Sequence, residues 1–202
     1  SLVQIMYNAS LGRFGGDAYI GIMTVINSVR EVISLPISGL TNSAQPIMGY
    51  NYGAEQYGRV KQAIIFMSVV SISYTTIMWG LVHGFPEFFI RIFNHEGDLV
   101  AAGIPAMQIY YFGFFMMSLQ FAGQSVFVAL GKSKNAVFFS IFRKVIIVIP
   151  LIIILPTVFG MGTQGILMAE PISNFIGGAA CFGTMLLTVW PELKRGGEKN
   201  HS

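Results

Sequence analysis

Polar and apolar positions along this chain separate on a scale much longer than a helical turn. Residues 32–54, 62–86, 99–131, 145–169 and 171–191 contain no Asp, Glu, Lys or Arg, which leaves charge-free runs of 23, 25, 33, 25 and 21 residues. A helix rises about 1.5 Å per residue and a bilayer core is about 30 Å thick, so about 20 apolar residues suffice to cross it. Every run is long enough. None shows the period-two alternation over about 10 residues that marks a barrel strand. The pattern therefore predicts an all-α integral membrane protein. Its spans are 1–11 (partial), 18–49, 60–84, 100–130, 135–158 and 162–190, with a polar, frayed tail at 191–202.

Several spans have unusual lengths or weak points. Ser1 to Leu11 would make about 16 Å of helix, half a hydrocarbon core, which predicts a fragment that starts inside a helix. Span 18–49 would reach about 48 Å. Pro36 and Gly39 lie in its middle, and a proline that removes a backbone hydrogen bond predicts a kink there. Pro105, Pro150 and Pro171 weaken three further spans. Broken backbone at membrane depth survives only against protein or a wet cavity, which favours a transporter over a passive anchor.

Composition narrows the class. The chain is 53% hydrophobic and 10% charged, against about 45–50% and about 25% in soluble domains, so a soluble fold and disorder are both excluded. The net charge of +3 lies in connectors and reads as topology rather than nucleic-acid binding. Arg59, Lys61, Lys132, Lys134, Lys194, Arg195 and Lys199 fall on one side, Arg13 and Arg91 on the other. This asymmetry predicts that segments 58–61 and 131–134 and the C-terminus face the cytoplasm of a multi-pass cell-membrane protein. The single cysteine, Cys181, sits in an apolar run and reads as a small buried hydrophobe.

Candidate chemistry begins with ionisable groups inside the spans: Arg30, Glu31, Arg143, Lys144 and Glu170. Such groups usually face a bundle interior. Arg30 and Glu31 are neighbours about 100° apart on a helix and poorly placed to pair with each other. Arg143 lies about 12 Å into its span from the cytoplasmic end, and Glu170 about 12 Å into the next from the outer end. The two should thus lie about 6 Å apart along the membrane normal, close enough for long side chains to meet. The reading allows a structural ion pair, or a pair that Glu170 leaves during a transport cycle. His83 reads as solvated near the outer interface. Gln120 and Gln124 share one helix face and read either as interhelical hydrogen-bonding groups or as a polar cavity wall. No phosphate-binding loop, zinc spacing or nucleophile elbow is present, so the sequence predicts no enzyme, no metal site and no cofactor.

The run Gly39-Leu40-Thr41-Asn42-Ser43-Ala44-Gln45-Pro46-Ile47-Met48-Gly49-Tyr50-Asn51-Tyr52-Gly53-Ala54 resembles a hallmark of the multidrug and toxic compound extrusion (MATE) family. There, Gln-Pro-x-x-Gly-Tyr-Asn-Tyr-Gly-Ala closes the eighth helix at the cytoplasmic face, so Gln45, Pro46, Gly49, Asn51 and Gly53 form the corresponding helix-end motif. Gln124 through Gly131-Lys132-Ser133, then Arg143 and Pro150, match in order, as do Ala169-Glu170-Pro171-Ile172 and the Gly15-Gly16-Asp17 turn. The resemblance implies a six-helix lobe, its first helix truncated, running from late helix seven to helix twelve of a twelve-helix transporter. It also implies exchange of an outgoing drug for H⁺ or Na⁺ between two lobes. Some branches carry acidic cation ligands in helices seven and ten. Span 100–130 has no acid, and neither has the part of helix seven present here. This fits better the branches whose coupling aspartate lies in the N-terminal lobe.

Together these readings predict part of a multidrug antiporter working by alternating access. Asn8, Gln120, Gln124, Arg143 and Glu170 are its candidate substrate-cavity contacts. Its expected partners are the bilayer, an N-terminal lobe, and cationic or amphipathic small molecules. The alternatives are a lipid-linked oligosaccharide flippase, whose pyrophosphate would need several cationic side chains, and a membrane scaffold without transport.

Overall fold

The computed structural model describes residues 2–199. Ser1 of the first predicted span and residues 200–202 of the predicted tail lie outside the described residues. The described chain consists of helices with no strand. They are α1 (Leu2–Gly53), α2 (Tyr57–Gly84), α3 (Pro86–Phe93), α4 (Gly97–Tyr110), α5 (Phe114–Ala129), α6 (Ser133–Ile141), a π-helical turn (Phe142–Val148), α7 (Ile149–Thr157) and α8 (Gly162–Lys199). Four helical stretches are long and apolar enough to cross a membrane, and the bent α4–α5 pair makes a fifth.

The breaks fall at places that local chemistry explains. Inside α1 the non-helical residue is Gly16, at φ 72° and ψ −168°. Glycine alone occupies that region without a Cβ clash, so the Gly15-Gly16 pair separates the short first helix from the long second one. Helical backbone continues through Pro36 and Pro46. The 49° bend between α4 and α5 lies at residues 111–113 rather than at Pro105. A Cβ on Gly113 would stand 2.9 Å from the carbonyl oxygen of Pro171, so the bend occurs where α4–α5 presses on α8. Pro150 acts upstream of itself. Its ring would collide with the carbonyl four residues back, and the widened π turn over Phe142–Val148 lies immediately before α7. A π turn changes which way its side chains point, and this one carries Arg143 and Lys144.

Two differences from the sequence reading concern the ends and connectors. The connector after the third span contains a helix, α3, started by Pro86 at its first position, where the missing N–H costs nothing. The C-terminal segment does not fray at Pro191: α8 continues to Lys199. It is held by contacts with the motif end of the lobe. Tyr52 and Lys132 both donate to the Glu192 carboxylate, and Lys61 stands 5.6 Å over the Trp190 ring.

The interior divides into two apolar clusters. One packs Tyr7, Ile26, Tyr111, Phe114 and Ile152 toward the α3–α4 end. The other packs Met48, Val60, Phe127, Met185 and Leu193 toward the motif end. The outer surface keeps large apolar side chains exposed, among them Phe66, Val69, Ile77, Phe138, Ile146 and Leu187. So much exposed apolar surface is untenable in water but suits lipid contact. Cys181 is buried.

Candidate substrate cavity

Tyr7, Arg30, Tyr110, Arg143 and Glu170 meet at one wall of a cavity of about 530 Å³. α1 supplies Tyr7 and Arg30, on either side of the Gly16 break; α4 supplies Tyr110, the π turn Arg143, and α8 Glu170. Glu170 is 4% exposed and Arg143 8%. At that burial an ion pair is almost wholly removed from water, and both charges need partners.

The carboxylate has them. Glu170 Oε1 accepts from Arg143 Nη2 at 2.5 Å and from Arg30 Nη1 at 3.3 Å. Its other oxygen, Oε2, accepts from the Tyr7 hydroxyl at 3.4 Å. Arg30 Nη1 also donates to the Tyr110 hydroxyl oxygen at 3.1 Å. Ser173 fixes the backbone beneath, donating to the Glu170 carbonyl oxygen at 2.7 Å while its own oxygen lies 3.5 Å from Arg143 Nε. One carboxylate thus sits between two guanidinium groups, with both of its oxygens occupied. Gly177 allows the close approach: a Cβ there would come within 3.1 Å of Arg143 Cγ and 2.8 Å of Gln120 Oε1.

The candidate residues separate into groups. Arg143 and Glu170 line the cavity and are hydrogen-bonded to each other, a contact that the depth arithmetic allowed. Gln120 and Gln124 lie outside its lining; their amides donate to the carbonyl oxygens of Phe139 and Ala136, at 3.4 and 3.1 Å, and join α5 to α6. Asn8 is exposed on α1, also outside the lining. In the helix-end motif, Gly49 lets α1 approach α5, since a Cβ would stand 3.0 Å from the Ala129 carbonyl oxygen. The Asn51 side chain donates to the Ile47 carbonyl oxygen at 2.8 Å. Gln45 is half-buried, Pro46 and Gly53 are exposed, and α1 ends at Gly53. His83 is engaged rather than solvated, with its ring nitrogens 2.8 and 3.0 Å from the carbonyl oxygens of Trp79 and Gln108.

Sequence reasoning did not place Tyr7 and Tyr110 in the site, and it left Arg30 without a partner. Arg30 carried a signal, as a charge deep in a span. The tyrosines carried none beyond their hydroxyls, because their neighbours come from helices remote in sequence. Among the described residues no group of three His, Cys, Asp or Glu side chains could hold a metal ion.

The family model described as MatE matches residues 1–154. This chain belongs to the MatE family. No curated protein matches it significantly. Among solved structures, an outward-facing conformation of a multidrug resistance MATE family transporter of the MOP superfamily superposes with a TM-score of 0.88, at 14% identity, over 96% of this chain and 43% of that one. An inward-facing conformation of a multidrug resistance MATE family transporter superposes at 0.85 and 14% identity, over 96% and 44%. A MATE structure in a bent conformation superposes at 0.87 and 13% identity, over 100% and 43%. The MatE chain described here therefore spans less than half the length of the transporters it resembles. Family and fold mark it as a multi-pass membrane protein of a transporter family rather than an enzyme.

At the motif end of this MatE chain a second polar cluster joins α1, the connector between α5 and α6, and α8. Hydrogen bonds from Lys132 and Tyr52 keep the Glu192 carboxyl below the ordinary carboxylate range, and the bond to Glu192, with burial, pushes the Tyr52 hydroxyl up to about 12. A lowered folded-state value means the carboxylate's contribution is complete above the unfolded value of about 4.3 and disappears as pH falls through the folded one. The raised tyrosine works in the opposite sense: its contribution is present below about 10 and is lost as pH rises through its folded value. Both act at pH 7. The Glu192 side chain is 38% exposed, so screening limits the pair to about 1 kcal/mol. Glu192→Gln should lower the unfolding temperature at pH 7 by a few degrees, and the difference from wild type should shrink as pH falls below about 4.3 and the Glu192 carboxylate takes up its proton. Thermal melts over a series of pH values check this.

Proposed function

We propose that this chain is one lobe of a two-lobe secondary exporter that moves amphipathic small molecules out of the cell in exchange for H⁺ or Na⁺. The observation that carries the reading is the cavity, a chamber with a buried charge cluster on one wall, in a chain of the MatE family. Similar agreement with outward-facing and inward-facing structures supports a lobe that keeps its internal packing while the transporter alternates. Rocking of one bundle against another around a fixed site is how such folds achieve alternating access. Tyr52, Lys132 and Glu192 brace the lobe at one end, as such a rigid body requires. On this reading the basic end, with Arg59, Lys61, Lys132, Lys134, Lys194 and Arg195, faces the cytoplasm of the plasma membrane. The coupling cation is bound by the second lobe, since this wall's buried carboxylate is already neutralised.

A lobe of this kind cannot transport alone. Expressed by itself in an efflux-deficient host, the chain should confer no drug resistance. Co-expressed with the remaining part of the full-length protein, it should restore resistance at least in part. Full resistance from the chain alone would overturn the two-lobe reading.

A further inference from the structure

The charges around the cavity do not balance. Arg30, Arg143 and Lys144 line it against Glu31 and Glu170. Glu170 offers little to an incoming cation, because Oε1 already accepts from two guanidinium groups and Oε2 from Tyr7. A cationic ligand approaching this wall meets two positive charges sharing one negative one. An anionic ligand meets the reverse. Arg30 is 32% exposed, and its Nη1 alone makes the bonds described above, so other N–H groups of its five-donor fork remain for a ligand. Lys144 is exposed and, among the described residues, forms no ion pair within 4.0 Å. Ser34 on the same lining has a buried hydroxyl without a hydrogen-bond partner among the described residues, and it can donate to an anion. The rest of the lining has an apolar part, including Leu35, Met117, Phe121 and Val148, with the neutral polar side chains of Gln4, Asn27 and Ser38 beside it. The volume of about 530 Å³ suits a drug-sized molecule.

We propose that this wall binds the anionic group, a carboxylate, sulfonate or phosphate, of an amphipathic small molecule, and that the exported substrate is an organic anion. Arg30 and Lys144 receive the anionic group with Ser34 beside them, and the apolar wall takes the body of the molecule. Glu31, exposed on the lining, opposes it. The substrate assignment rests on the exporter reading; the binding assignment does not.

The test uses the full-length protein in nanodiscs of phosphatidylcholine, with two fluorescent probes that share an apolar body: dansyl-4-aminobutyrate, ending in a carboxylate, and dansylcadaverine, ending in an ammonium. The carboxylate should bind about tenfold tighter or better. Lys144→Gln and Arg30→Gln should each weaken it by about three- to tenfold, while Glu31→Gln should strengthen it. Lys144 is exposed and forms no ion pair among the described residues, so its substitution remains informative if Arg30→Gln fails to fold. Equal affinities, an ammonium preference, or no binding of either probe would overturn the proposal. Displacement of the carboxylate probe in nanodiscs enriched in phosphatidylglycerol would assign the site to a lipid headgroup and overturn the small-molecule assignment. A carboxylate preference without transport under any ion gradient would support the binding site and end the exporter reading. An ammonium preference with gradient-driven transport would do the opposite.

Discussion

Glu170→Gln should destabilise the lobe by about 3–5 kcal/mol, and by more than Arg143→Gln does. Removing the carboxylate strands two guanidinium groups, one of them almost fully buried, beside two tyrosine hydroxyls. Removing Arg143 leaves Glu170 with Arg30 at 3.3 Å and Tyr7 at 3.4 Å, so the remaining charge keeps a partner. In a simple two-residue pair the two losses would be comparable. The inequality is therefore a signature of the three-charge arrangement. Membrane abundance and the denaturant midpoint of the purified protein measure it. Wild-type stability for Glu170→Gln, or a larger loss for Arg143→Gln, would contradict the geometry.

The second large effect is expected where α5 and α8 touch through glycine. A Cβ on Gly178 would lie 2.5 Å from the carbonyl oxygen of Met116, and one on Gly123 2.9 Å from Cys181 Sγ. A backbone oxygen cannot rotate away as a side-chain tip can, so the helices must separate. Close backbone approach between membrane helices is gained largely through packing at small residues. Gly178→Ala should cost about 1–3 kcal/mol, and Gly178→Leu should prevent assembly of the lobe. Gly183, five residues further along the same helix, has nothing within 4 Å of its Cβ direction; there Ala should be neutral or stabilising by about 0.5–1 kcal/mol. Parallel denaturation of the two alanine variants makes the comparison, and equal behaviour would show that the seam is not tight.

The sequence made the long apolar helices legible because crossing hydrocarbon requires an uninterrupted run, and the five charge-free stretches display it directly. Arg143 and Glu170 could be joined from sequence because helical rise converts position into depth. Azimuth was not legible. Whether Gln120 faced the cavity or α6 depended on the rotation of α5, and Asn8 was equally unassignable on α1. Neither residue lies on the cavity lining. Backbone irregularities were half legible: Gly16 and Pro150 mark real departures from the α-helix, whereas Pro36 and Pro105 sit within helical segments. The continuation of α8 past Pro191 depended on Tyr52 and Lys132, contributed by residues 140 and 60 positions away. No local signal encodes such partners.

The most direct measurement is efflux from proteoliposomes containing the full-length protein and loaded with a fluorescent amphipathic substrate. An inward H⁺ or Na⁺ gradient should drive dye out of liposomes in which the protein is oriented as in the cell. Dissipating that gradient with an ionophore should stop the movement, and liposomes containing this lobe alone should show none. Efflux indifferent to both gradients, or equally fast from the lobe alone, would contradict the account of this chain as one half of a cation-coupled exporter.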